Sequence, residues 1–355
     1  MQFILLEPEE FRKFANKSLY KSFYQTPEIA KLREQNGWTA YYFGVKNDTK
    51  LVAATMLVAR PTFLGKSTYY CPGGPLLDYE DAALVDFFFK NLRRYARSHN
   101  GWLLHIEPYY ELRERDRSGE ALKGGFDHTE ALRNLKSAGL TPCATSDEPK
   151  YAFVLDLNHR TPDQLFKQFK QNTRNLIHRA EKNGVKVREL SREELPVFKQ
   201  ITESTSHRRD FQDKPLSYYE AMYDLFHDKD QVKFLVAKAP DGTPISVAMF
   251  MLYGDEVTYL FSGSDEKYMK EYNAQYLIQW HMIKHAAEHK FKRYNFYGLQ
   301  ALPNESKKDY GLYTFKKGFA SDNQGHVTEL IGAHEAPVDS IFYALHHFLH
   351  KLKHR

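Results

Sequence analysis

Apolar and polar positions alternate with a period of two through residues 41–45, 51–59 and 67–70. The spacing turns helical over 82–97, and a further apolar run follows at 102–106. This predicts two strands joined at Asn47-Asp48-Thr49, and a third ending at Pro72-Gly73-Gly74-Pro75. An amphipathic helix and a strand closed by Glu107-Pro108 complete the set. Ahead of them, residues 3–6 read as a strand. Pro8 with Glu9-Glu10 opens a helix through Phe11, Phe14 and Ala15. Thr26-Pro27-Glu28 opens a second helix, with threonine as cap and proline at the first helical position. That helix carries Ile29, Lys31 and Leu32. The same order then returns. There are strands at 234–237, 245–253 and 257–261, with a hairpin turn at Asp241-Gly242 and a break at Ser262-Gly263-Ser264. A helix at 274–289 and a strand at 294–297 follow. The repeat distance of about 190 residues is too long for a solenoid and marks a duplicated α/β domain.

Between the copies, residues 129–138 predict a helix ending at Gly139, and 151–155 a strand. Thr161-Pro162-Asp163-Gln164 is a capping box opening one helix that runs to Gly184. Leu165, Phe166, Phe169, Ile177 and Ala180 form its apolar side; Lys167, Lys170, Arg174, His178, Arg179 and Lys182 line the other. No acidic residue lies between Lys167 and Arg179. The face is therefore either simply solvated or turned toward an anion. After the strand at 294–297 the chain breaks at Gly298 and crosses a polar loop with Pro303, Asn304 and Lys307-Lys308. It closes on Leu312 to Phe319, where two lysines stand between aromatics with a glycine directly after; this is unusual for a core strand, and the plain reading is an edge strand with its lysines in water. Beyond Pro337, residues 338–355 place Ile341, Phe342, Leu345, Phe348, Leu349 and Leu352 on one helical stripe. That stripe is expected to pack on the first domain. The basic end, with Lys351, Lys353 and Arg355, is a candidate for weak contact with an anionic membrane face.

Composition narrows the class. In 355 residues, 50 Lys and Arg against 45 Asp and Glu give a net charge of +5, compatible with a polyanionic partner. The two cysteines, Cys71 and Cys143, make no CxxC or Cys/His motif, which argues against a disulfide framework or structural zinc and fits a reducing cytoplasm. The N-terminus lacks the basic segment of a signal peptide, and no apolar run approaches the roughly 18 residues of a membrane span. The 16 histidines are scattered; His346, His347 and His350 follow one helix with no carboxylate or cysteine to complete a metal set.

With these features in hand, the chain resembles the Fem family of peptidoglycan bridge aminoacyltransferases over nearly its whole length. The likeness rests on Tyr-Tyr-Cys-Pro-Gly-Gly-Pro at 69–75, Thr173-Arg174-Asn175, Ala180-Glu181-Lys182-Asn183-Gly184 and Tyr218-Tyr219. It continues with Gly263-Ser264, Tyr276-Leu277-Ile278-Gln279-Trp280, the run from Tyr294 to Gly298 and that from Gly311 to Phe319. The resemblance implies an α/β fold of two tandem N-acetyltransferase-like domains. Residues 1–145 with 321–355 would form the precursor-binding domain, and 146–320 the other. No sustained heptads occur, so the chain is similar to the members without a coiled-coil arm.

The implied reaction moves glycine, alanine or serine from aminoacyl-tRNA to the stem-peptide lysine of lipid II or UDP-MurNAc-pentapeptide, without a cofactor or metal. By resemblance, Lys31 and Lys214 hold the precursor's diphosphate, Lys214 standing where the family has arginine. Tyr218, Phe261 and Phe315 are the further substrate-binding positions, and Lys167, Lys170, Arg174 and Arg179 face the tRNA. Glu107, where short members carry aspartate, binds the attacking amine and helps remove its proton. Lys316 stabilises the oxyanion. An acyl-CoA enzyme would show an Arg-x-x-Gly-x-Gly/Ala loop before its main helix, absent from both copies. A non-catalytic RNA- or glycan-binding protein would explain the basic helix but not the Phe-Lys-Lys-Gly-Phe run.

Overall fold

The computed structural model describes residues 1–143, 146–209, 211–299, 301–302, 310–321 and 324–353; the side chains of Phe63 and of 347–353 lie outside the description. The strands are β1 Gln2–Leu5, β2 Thr39–Asn47, β3 Lys50–Pro61, β4 Ser67–Gly73, β5 Gly101–Pro108, β6 Glu111–Arg115, β7 Thr141–Pro142 and β8 Tyr151–Asp156. They continue as β9 Lys186–Glu189, β10 Val232–Lys238, β11 Pro244–Tyr253, β12 Glu256–Ser264, β13 Arg293–Leu299, β14 Gly325–Leu330 and β15 His334–Pro337. The chain divides into two compact units. One comprises residues 1–114, 124–150 and 329–355; the other comprises 115–123 and 151–328.

The first unit holds the sheet β1-β2-β3-β4-β5-β15-β7. β2, β3 and β4 are antiparallel neighbours, and β4 then pairs parallel with β5. A parallel pair needs a crossover, supplied by the helix Ala82–Ser98. Its Leu84, Val85, Phe88, Phe89 and Leu92 are buried, and it is capped by Asp81, which accepts from the Leu84 amide at 2.9 Å. The second unit repeats the plan. β10, β11 and β12 are antiparallel, β12 pairs parallel with β13, and the helix Ala274–Glu288 makes the crossover. Each copy also begins with a strand, two helices and a return to the sheet: β1, Pro8–Lys17 and Pro27–Glu34 in one, β9, Leu195–Arg209 and Leu216–Phe226 in the other. The repeat is thus longer than the sequence pattern indicates. Leu195–Arg209 and Leu216–Phe226 have no clean apolar stripe and escape a periodicity search. Each unit has its own core. Among the described residues no helix exceeds the 17 residues of Ala82–Ser98, and none is long and apolar enough to cross a membrane.

Three expectations are corrected. The helix opened by Thr161 is two helices, Pro162–Gln168 and Gln171–Lys182, with Phe169 and Lys170 extended between them. The break carries Phe169 into the core, 5.5 Å from Trp280 and 5.2 Å from Phe319. The run containing Lys316 is no edge strand but the helix Tyr310–Lys317. The lysines adjoin aromatic residues as on a strand edge, but the buried positions, Tyr313 and Lys316, stand three apart as a helix requires. The C-terminal helix Ser340–Lys353 buries Phe342 on Trp102, but leaves Ile341 84% and Leu345 43% exposed, so the stripe packs only in part. Pro303, Asn304, Lys307-Lys308 and Arg355 lie outside the described residues, as do the side chains of Lys351 and Lys353.

Candidate active site

In the first unit, Glu107 lies near the end of β5 with its carboxylate buried. Three donors converge on it. Tyr70 donates its hydroxyl to Oε2 at 2.7 Å, His105 Nε2 lies 2.9 Å from Oε1, and the Asp147 amide donates to Oε1 at 2.8 Å. Burial pushes the carboxyl upward, but the hydrogen bonds from His105, Tyr70 and Asp147 outweigh it and hold Glu107 below the ordinary carboxylate value. It is a persistent anion and a weak base. Burial and the Glu107 charge push the Tyr70 phenol far upward, so Tyr70 stays a donor.

This carboxylate lines a cavity of about 390 Å³ whose walls include Trp38, Tyr70 and Trp102, with Arg33 at its edge. The Arg33 guanidinium lies 5.2 Å from the Tyr70 ring centre. Tyr70 is placed by β4, opposite Val58 of β3 and His105 of β5, and the Pro-Gly-Gly-Pro segment follows it. A Cβ on Gly74 would stand 2.6 Å from Cδ of Gln25, and Gln25 is buried and fixed by bonds to the carbonyls of Met56 (3.0 Å) and Pro72 (2.7 Å). Lys31 is exposed on the helix Pro27–Glu34 and does not line the cavity. Arg33, two residues on, does.

In the second unit, Lys316 is buried. Its Nζ donates to the carbonyls of Tyr297 at 2.9 Å and Gly298 at 2.5 Å. Those carbonyls belong to a distortion of β13. The pairing with β8 shifts register between Asn295 and Gly298, and Tyr297 has φ +58°. The ammonium therefore stabilises a strained bulge. Lys317 lies 5.1 Å from the ring centre of Tyr313; burial, then Arg117 and Lys170, lower its pKa. Phe315 packs 4.9 Å from Tyr276.

Three expected binding residues come together in this unit. The exposed Lys214 has its Nζ 5.6 Å from the centre of the Tyr218 ring, and Tyr218 packs 5.9 Å from Phe261. Asp213 anchors the turn by accepting from Tyr219 (2.6 Å), Thr202 (2.8 Å) and Lys199 (2.9 Å). Of the basic positions, Lys167 and Arg179 are exposed and Lys170 is half-buried. Arg174 turns back on the protein, donating to the carbonyls of Lys167 (2.9 Å) and Phe169.

Sequence reasoning passed over Arg33, Trp38, Tyr70, His105 and Tyr297 as site residues. Tyr70 stands in a quoted motif and His105 alternates with Glu107, so these two had a visible signal. Tyr297 also stands in a quoted run, Tyr294 to Gly298; Trp38 had no signal. The structure also gathers His105, Cys143 and Glu335, which the scattered histidine and cysteine positions did not suggest.

Two copies of a sheet whose central strands turn parallel around one crossover helix define a tandem N-acetyltransferase-like fold. Solved structures share this fold. The crystal structure of FemX superposes with a TM-score of 0.82 over 97% of this chain and 99% of that chain, at 19% identity. A tandem GNAT protein from the clavulanic acid biosynthesis pathway gives 0.52 over 95% and 98%, at 12% identity. The chain belongs to the FemAB family, whose model matches residues 6–242 and 229–351. Aminoacyltransferase FemB of Staphylococcus epidermidis is 29% identical across 100% of this chain and 99% of its own length. The protein is accordingly an acyl-transferring enzyme, and the reading as a non-catalytic binding protein is set aside.

Proposed function

We propose that this enzyme transfers glycine, alanine or serine from aminoacyl-tRNA to the stem-peptide lysine of a peptidoglycan precursor, lipid II or UDP-MurNAc-pentapeptide. The observation that carries the reading is Glu107, a buried carboxylate kept ionised by three donors at the wall of an aromatic cavity. A lysine side chain is an apolar stem ending in a cation. Trp38, Tyr70 and Trp102 suit the stem, and Glu107 suits the ammonium.

The free amine has a pKa near 10.4, so it arrives protonated. A carboxylate held low binds and aligns this ammonium better than it deprotonates it. As the new C–N bond forms at the ester carbonyl, the C–O bond to the tRNA ribose breaks. One amine proton goes to the departing ribose oxygen and one to solvent. In this reading Lys316 lends fixed positive charge to the oxyanion; its Nζ is held in place by the Tyr297 and Gly298 carbonyls. Lys31 and Lys214 meet the diphosphate. Tyr218, Phe261 and Phe315 flank the substrates, and Lys167, Lys170 and Arg179 meet tRNA phosphates. The clustering of Lys214, Tyr218 and Phe261 supports their shared role.

The test follows transfer from charged tRNA to each precursor. Glu107→Gln is expected to raise KM for the acceptor more than it lowers kcat at neutral pH. Part of the loss should return at higher pH, where the amine deprotonates unaided. An unchanged KM across the pH range removes Glu107 from the acceptor site. Failure of the wild-type protein to use either precursor rejects the reading.

A further inference from the structure

His105 and Glu335 both line the Glu107 cavity, and Glu335, like nearby Cys143, has no part in amide formation. β15 pairs antiparallel with β5 on one edge and with β7 on the other, so that Glu335 stands opposite both His105 and Thr141. Directly opposed residues share a face of the sheet, and the second residue along an extended chain returns to it. Cys143 follows Thr141 by two, held by its amide bond to the Ala333 carbonyl at 3.1 Å. The result is one ligand atom each from an imidazole, a thiol and a carboxylate, all within 4.8 Å of one another.

The spacing has chemical content. His105 Nδ1 lies 3.6 Å from Cys143 Sγ. In tetrahedral zinc, Zn–N bonds of about 2.0–2.1 Å and Zn–S bonds of about 2.3 Å set nitrogen and sulfur about 3.6 Å apart. The other nitrogen of the same ring, Nε2, lies 2.9 Å from Glu107. A histidine with one nitrogen toward further ligand atoms and the other on a carboxylate has the build of a carboxylate–histidine–metal triad. Glu335 accepts in turn from the Tyr343 hydroxyl. All three residues are half-buried, and His105 and Glu335 line the cavity.

We propose that His105, Cys143 and Glu335 bind a divalent cation of the zinc class, with a fourth coordination position facing the cavity. Mixed nitrogen, sulfur and oxygen donors favour zinc or cobalt over magnesium and calcium, which take oxygen. Coordination through Nδ1 leaves the proton on Nε2, so the metal would fix His105 as a donor to Glu107. That consequence rests on the function proposed above; the binding does not.

The experiment titrates the chelator-treated full chain with Co²⁺. One equivalent is expected to bind with a sulfur-to-cobalt charge-transfer band, bleached by Zn²⁺ and untouched by Mg²⁺. Cys143→Ser should abolish the band. Cys71→Ala should keep it, because Cys71 is buried elsewhere and its thiol is pushed up to about 12 by burial. Glu335→Gln should weaken binding at least about tenfold by calorimetry, the scale on which even outer-shell groups act. Zn²⁺ should raise the Tm of the wild type but not of Cys143→Ser. No sulfur band in the wild type, a band that survives Cys143→Ser, or equal affinity in Glu335→Gln overturns the proposal. If Cys143→Ser does not fold, Glu335→Gln decides alone. Loss of metal binding leaves the transfer reading standing, and absent transfer with intact binding sinks that reading alone.

Discussion

The hydroxyl of Tyr70 donates to Oε2 of Glu107 over 2.7 Å, tying the middle of β4 to the parallel strand beside it. Because the carboxyl lies below its ordinary value in the folded chain, the stabilisation it provides is fully present above the unfolded value and is lost as pH falls through the folded one. Tyr70→Phe removes one of three donors. A hydrogen bond to a charged group is worth about 1.5–3 kcal/mol, so the Glu107 pKa should rise when this donor is removed. Both the acid limb of kcat/KM and acid unfolding should then move to higher pH. Profiles that overlay those of the wild type would show that Tyr70 does not hold the charge.

Lys316→Met should lower turnover by about a hundredfold or more, by analogy with loss of one oxyanion donor. It should also lower the Tm, because the Tyr297 and Gly298 carbonyls lose a partner, at about 1–3 kcal/mol for a buried acceptor left unsatisfied. Lys317→Met should leave turnover within a few-fold, because Lys317 is turned about 100° from Lys316 around the helix and its ammonium lies over the Tyr313 ring. A well-folded Lys316→Met with near-normal turnover would reduce Lys316 to a bulge-holding residue.

The frame of this protein is legible in its sequence where local chemistry and tertiary packing agree. Thr26 caps its helix by accepting from the Ile29 amide, as its place before Pro27 predicts. The parallel crossovers follow from strand–helix–strand order. Legibility fails where a distant partner overrides the local pattern. Phe169 leaves its helix because Trp280 and Phe319 offer it a core. Lys316 looks like a solvated lysine until its helix and the β13 carbonyls are known. The Glu107 cavity needs the Asp147 amide and Trp38, neither near Glu107 in sequence.

Lys214 and Lys31 carry the proposed diphosphate contact. Lys214→Ala and Lys31→Ala should each raise KM for the precursor and leave that for aminoacyl-tRNA nearly unchanged. Lys214→Arg should bind the precursor at least as well as lysine does, since a guanidinium forks onto phosphate oxygens where an ammonium acts as a point charge. Weaker tRNA binding with unchanged precursor KM would exchange the two substrates' assignments.

The C-terminal helix leaves Ile341 and Leu345 exposed beside a basic end. We propose that this end touches anionic lipid weakly, at roughly 1 kcal/mol per lysine or arginine near the surface. Co-sedimentation should occur with anionic but not neutral vesicles, fall at high salt, and disappear on deleting residues 351–355. No binding to anionic vesicles at low salt would leave the helix as packing alone.

Gly318 makes the sharpest stability prediction. Its missing side chain lets the turn after Lys317 press against Thr173. A Cβ there would collide with Thr173 Oγ1 and stand 3.0 Å from the Phe315 carbonyl. The Gly318 carbonyl also accepts from the Lys170 amide at 2.9 Å, so the turn cannot back away without breaking that bond. Thr173 is buried and β-branched, with little freedom to rotate. Gly318→Ala should therefore cost about 1–3 kcal/mol, the range for overpacking, and should disturb the helix that carries Lys316. Thr173→Ala vacates the contested space, so the double variant should lose clearly less than the two single changes combined. Urea unfolding of all four proteins measures this coupling, and simple additivity would show that the glycine is kept for some reason other than its contact with Thr173.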